Sequence, residues 1–138
     1  MNEQTLEVLH ADGWCDYTDQ SFIGHIGPVL IRETEAGREF CLPTTAIHKN
    51  LSGNVHGGVI MALFDRAMGA AIRHQAPDLR FATASMTTEF LRPVRIGDVL
   101  RFQAHLLKAG RKAYNLRGEA YVGDRLCATT SAVFMVVD

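Results

Sequence analysis

One stretch of this chain repeats its apolar residues at helical spacing. From His56 to about Gln75, the residues Ile60, Leu63, Phe64, Ala67, Ala71 and Ile72 recur three and four positions apart, which predicts a single long amphipathic helix. Pro77 ends it, because a proline there cannot continue the backbone hydrogen bonding. Beyond that point the period falls to two, most clearly at Leu100, Phe102, Ala104 and Leu106, separated by Arg101, Gln103 and His105. Gly97, Gly110 and Gly123 stand 13 residues apart, each followed by a charged residue, and read as evenly spaced turns of an antiparallel meander. Strands are therefore expected at about 80–91, 98–108, 111–122 and 125–137.

Before the helix, two apolar runs between Val29 and Leu42 flank Glu35-Ala36-Gly37-Arg38 and predict a hairpin. Residues 43–55 read as loop. Residues 3–10 fit a short amphipathic helix, after which Gly13, Gly24, Gly27 and Pro28 break up the pattern. One long helix between a hairpin and an antiparallel sheet is an α+β layout in which the sheet can wrap the helix. Residues 1–138 are expected to form one domain, with a hydrophobic content of 47% and 21% charge, ordinary for a globular chain. Gly57, Gly58 and Gly69 weaken the helix by about 1 kcal/mol each at interior positions, so burial must compensate.

The apolar run Val59–Phe64 is far short of the roughly 20 residues of a membrane span. The acidic first twenty residues do not resemble a secretory signal, and the expected location is the cytoplasm. Cys15, Cys41 and Cys127 are odd in number and widely spaced, which predicts reduced, buried thiols. The six histidines show no metal-ligand spacing, and no metal is expected. The net charge of −1 conceals an asymmetry: residues 1–50 hold eight acids against three bases, and residues 91–125 hold eight bases against three acids. Such local basicity is a poor footprint for nucleic acid but suits a small polyphosphate ligand. Solvated strand faces would account for it equally well.

The segment from Asn50 to Asp65 carries the chemistry. Asn50 precedes His56 by six residues, His56-Gly57-Gly58 opens the helix, and Asp65 follows His56 by nine. With Thr83, the run Phe90-Leu91-Arg92-Pro93 and the Gly97 and Gly110 turns, this segment resembles the PaaI-like acyl-CoA thioesterases of the hotdog superfamily. The resemblance runs from about Val29 to Val137 and leaves residues 1–25 unmatched, with Trp14 among those that would shape an acyl pocket. It implies a hotdog fold and hydrolysis of an acyl-CoA. Its sites lie at a dimer interface, commonly in a dimer of dimers, so a homotetramer is expected. No cofactor is required apart from the CoA of the substrate.

The residue chemistry agrees. Free N–H groups at a helix start can stabilise the oxyanion of an attacked thioester, and Gly57 and Gly58 allow close approach to that backbone. Asp65 lies roughly 140° around the helix from Ile60, away from the centre of the apolar stripe, where it can act as nucleophile or general base. Asn50 and Thr83 offer an amide and a hydroxyl to orient the attacking group, with ordinary loop and strand roles as the alternative. His56 is either a thioester hydrogen-bond donor or a helix cap. Arg92, Arg111 and Lys112, with Gly58, are expected to hold the CoA portion. Gly57 and Asp65 lie about 12 Å apart along one helix and cannot reach one carbonyl, so the acid should come from a second subunit whose helix runs antiparallel. Two competing activities are a hotdog dehydratase, which needs a catalytic histidine and for which His25-Ile26-Gly27-Pro28 is the faint candidate, and a non-catalytic acyl-CoA binding protein.

Overall fold

The structure, a computed structural model, describes residues 3–35 and 37–138. Its elements are α1 (Glu3–Ala11), β1 (Cys15–Tyr17), α2 (Phe22–His25), β2 (Val29–Thr34), β3 (Gly37–Pro43), α3 (Gly57–Gln75), β4 (Phe81–Phe90), β5 (Val99–Ala109), β6 (Ala113–Val122) and β7 (Arg125–Val136), with a 3-10 turn at Ala46–His48. The long helix and the alternating strands fall within a few residues of the expected places. Ala36, in the expected hairpin turn, lies outside the described residues.

All strands join one antiparallel seven-stranded sheet in the order β1-β2-β3-β5-β6-β7-β4, laid over α3. The expected meander is corrected at one point, because β4 pairs with β7 at the far edge and not with β5. Its connection to β5 crosses beneath the helix start. Along this crossing Val55 N–H donates to Val94 O at 2.8 Å, and Asn54 forms a bridge with Arg95. The crossing turns at Gly97, whose φ of +102° favours glycine, before Thr44 N–H donates to Asp98 O at 3.0 Å. The Gly97 turn thus ends a crossover and does not form a hairpin.

Alternation along the strands turns Phe40, Leu42, Leu100, Phe102, Leu116 and Phe134 toward Ile60, Leu63, Phe64, Ala67, Met68 and Ile72 of α3. Phe64 meets Phe102 edge-to-face with centroids 5.5 Å apart. Gly118 of β6 makes this approach possible, since a Cβ there would lie 3.0 Å from Phe64 Cδ1. On the other face of the sheet, Trp14, Leu30 and Cys41 form a second cluster, capped by Leu6 and Leu9 of α1. Trp14 is therefore buried on the face of the sheet away from the helix, because its cluster partners alternate outward on β2 and β3. Cys41 and Cys127 are buried, and burial pushes the Cys41 thiol up to about 12. Cys15 is exposed, contrary to expectation, because it lies on the short edge strand β1.

The unmatched N-terminal segment is tied to α3 next to Asp65. Arg66 Nη1 donates to Tyr17 Oη and to Asp19 Oδ2, both at 2.6 Å. Asp19 also accepts from Ser21 Oγ at 2.8 Å and Ser21 N–H at 2.7 Å. The two bonds from Ser21, with the Arg66 guanidinium, hold its carboxyl well below the usual carboxylate range.

Candidate active site

The first helical N–H belongs to Gly57. A helix start leaves such groups without intrahelical partners, and no acceptor for this one occurs among the described residues. The Gly58 N–H is already taken: it donates to His56 Nδ1 at 2.8 Å, which makes His56 the side-chain cap of α3. The ring is thereby held at the helix start, and of the two roles open to His56 the structure displays the cap. The His56 backbone N–H donates to His48 O at 2.8 Å. His48 is buried, and both of its ring nitrogens are used: Nδ1 accepts from Thr45 N–H at 2.8 Å and Nε2 meets Ile26 O.

Asn50 Oδ1 accepts from Ser52 N–H at 2.9 Å and Asn54 N–H at 3.0 Å. This side-chain oxygen closes the loop that delivers the chain to the helix start, leaving the amide nitrogen as the group that can meet a ligand. Asn50, Val55, Gly57, Ile60, Phe90 and Arg92 line a cleft of about 350 Å³. Arg92 is anchored at its rim, where Nη1 donates to Leu126 O at 2.6 Å.

Asp65 is half-buried on the flank of α3 facing β4, and Thr83 Oγ1 donates to its Oδ1 at 2.6 Å. Residues 18 apart in sequence are joined here because β4 lies alongside the helix. A β-bulge directs this contact. Between Thr83 and Ser85 the register with β7 shifts, leaving Ala84 without an opposite residue. Phe81 and Thr83 face the helix before the bulge, and Met86, Thr88 and Phe90 face it afterwards. Ser85 is consequently off the Asp65 side of the strand. Nothing in the residue types announces the bulge, so neither this change of face nor the inward position of Phe90 could be read from the sequence alone.

Within one chain the expected site residues form two groups. Asn50, His56, Gly57, Gly58 and Arg92 gather at the helix start, whereas Asp65 and Thr83 stand about 12 Å further along it. Arg111 and Lys112 are exposed beyond the other end: the Gly110 turn bonds to Ala113, and Lys112 O accepts from Val136 N–H at 2.9 Å, next to the start of β4. Among the described residues, no set of three or more His, Cys, Asp or Glu could hold a metal ion. No helix of the described residues is long and apolar enough to cross a membrane.

Comparison with known proteins agrees with this architecture. A family model described as the thioesterase superfamily matches residues 52–129. An uncharacterized acyl-CoA thioester hydrolase of Haemophilus influenzae is 29% identical over 99 residues, covering 64% of this chain and 64% of that protein. A phenylacetic acid degradation-related protein of Ralstonia eutropha superposes with a TM-score of 0.67 at 27% identity, over 94% of this chain and 89% of that one. A Bacillus halodurans protein solved with CoA superposes with a TM-score of 0.70 at 27% identity, over 78% of this chain and 71% of that one. The chain spans 38%, 83% and 64% of the lengths of three curated relatives it matches.

Proposed function

The chain belongs to the thioesterase superfamily, and on that premise we propose that it hydrolyses an acyl-CoA to the free acid and CoA at sites shared between two subunits. The Gly57 N–H of one subunit receives the developing oxyanion. Asp65 of the partner subunit attacks the carbonyl or deprotonates the attacking water. Thr83 orients Asp65 within its own chain, and the Asn50 amide, beside Gly57, positions the nucleophile or the thioester.

The observation that carries this reading is the separation of a bonded, oriented acid from an unpaired helix N–H by about 12 Å, when reacting groups must converge to roughly 3–3.5 Å. A second copy is the simplest way to close that gap. The surface running from Asp65 to the helix start suits one: β4 is an edge strand whose residues 82–85, beside Asp65, are all exposed, and Met61, Phe90 and Leu91, toward Gly57, are 36%, 51% and 49% exposed. A two-fold axis setting Gly57 against Asp65 of the partner subunit aligns helix positions whose numbers sum to 122. The far end of the partner's helix then projects about 15 Å beyond this chain's Gly57. The partner's Arg111 and Lys112 would lie toward that same end, where they could hold the phosphates of CoA whose thioester reaches Gly57. Of the histidines at the helix start, His48 has both ring nitrogens bonded and is not free to serve as the catalytic histidine of a dehydratase.

Release of free thiol from a panel of acyl-CoAs tests the activity. Asp65→Asn should remain folded, bind the CoA thioester and lose at least about two orders of magnitude in kcat. Gly57→Val and Asp65→Asn proteins, each nearly inactive, should recover about a quarter of wild-type sites when mixed, because half of randomly assembled dimers carry one intact site. No recovery despite subunit exchange, verified with a tagged variant, would place each site within one chain.

A further inference from the structure

One wall of the cleft at the helix start has no part in the chemistry above. A Cβ built on Gly57 would lie 3.1 Å from Cζ and 3.3 Å from Cε1 of Phe90, so the ring already fills the space a side chain would take beside the Gly57 backbone. Phe90 is nonetheless 51% exposed, because its other side faces the cleft shared with Asn50, Ile60 and Arg92. The bulge at Ala84 turns it toward the helix, so its position follows from the same irregularity that accompanies the Thr83–Asp65 contact.

We infer that Phe90 is a specificity-determining residue, whose ring limits substitution on the acyl carbon next to the thioester carbonyl. The inference rests on the hydrolase reading. A carbonyl oxygen about 2.9 Å from the Gly57 nitrogen places its carbon, and one of that carbon's two substituents, next to the ring. The sulfur leads toward CoA, whose phosphates require cations. The cleft's cation, Arg92, is tied to Leu126 O at the rim, and beside Gly57 its walls are the carbon of Val55, Ile60, Phe90, Pro93 and Val94, which suits the acyl side. An unbranched chain passes the ring edge, whereas a methyl branch on the first acyl carbon brings a second carbon toward the ring.

The test compares kcat/KM for n-butyryl-CoA and isobutyryl-CoA in the wild-type protein, Phe90→Ala and Phe90→Leu. Wild type should favour the unbranched substrate. Phe90→Ala should reduce that preference tenfold or more, within the roughly 10- to 200-fold that one methylene group decides in an apolar pocket. The reduction should come mainly from faster isobutyryl turnover, with Phe90→Leu intermediate. An unchanged ratio, or equal loss on both substrates, would overturn the inference and leave Phe90 against the CoA arm or the fold. Dissociation constants of the two non-hydrolysable thioether analogues read the same preference without turnover. A wild-type protein that discriminates them but releases no thiol would refute the hydrolase reading while retaining the wall. Equal affinities, with Phe90→Ala and Phe90→Leu no different from wild type, would remove the wall itself.

Discussion

Thr83→Val exchanges the hydroxyl at the site for a methyl of similar size and leaves the strand intact. The Thr83 hydroxyl donates to Asp65 Oδ1 at 2.6 Å, within the range of hydroxyl–carboxylate bonds. Hydrogen bonds to charged groups contribute roughly 1.5–3 kcal/mol. Thr83 is exposed and Asp65 half-buried, so water replaces part of that interaction, and about 1.5–2 kcal/mol of orientation is the expected loss. At 1.36 kcal/mol per tenfold, kcat should fall about 10- to 30-fold. Valine keeps the branched Cβ that suits an exposed edge strand, so the melting temperature should hardly change. Thiol release is the assay, with Thr83→Ser retaining most of the activity because it keeps the hydroxyl. In an Asp65→Asn background, Thr83→Val should cost little more, since its partner's charge is already gone. Turnover within twofold of wild type, or failure of serine to do better than valine, would show that Thr83 does not act through Asp65.

Replacing Arg111 and Lys112 together with alanine should raise KM for acyl-CoA and leave hydrolysis of a short thioester lacking the nucleotide nearly unchanged; equal losses on both would assign the pair to the fold. Glu39 lies buried on the outer face, and although burial opposes its charge, bonds from Gln103, Arg101 and Arg32 hold its carboxyl below the ordinary value. A lowered folded value gives stability that is present above the ordinary carboxylate range and lost as pH falls through the lowered one. Glu39→Gln should therefore cost about 1–2 kcal/mol near neutrality, and its gap in melting temperature from wild type should narrow below about pH 4; a gap constant with pH would contradict this assignment. Gly118→Ala should destabilise by about 1–3 kcal/mol in urea unfolding, because the added methyl would stand 3.0 Å from Phe64 and 3.1 Å from Thr130; wild-type stability would mean that Phe64 can yield at no cost.

The fold class was legible because hydrophobic period is a local property. A helix that must bury one stripe and strands that must bury one face write 3.6 and 2 into the residues themselves, so Ile60–Ile72 and Leu100–Leu106 declare their elements without a neighbour. The places of the glycines at the helix start and of the acid at position 65 were legible for a similar reason, since they follow from spacing along one helix. Strand order was not, because β4 and β5 carry the same alternation whether they pair with each other or, as here, with β7 and β3. The roles of Asn50, His56 and Thr83 depended on which atoms lie within 3 Å, and several side-chain functions fit one residue type until the packing selects among them. Trp14 has the same apolar character on either side of a sheet, and only the pairing of β1 with β2, beneath α1, put it outside. The bulge at Ala84 is the plainest case: an inserted position alters neither composition nor propensity, yet it reverses which residues of β4 meet the helix, and so tertiary pairing alone decided that Thr83 reaches Asp65 and Phe90 covers Gly57.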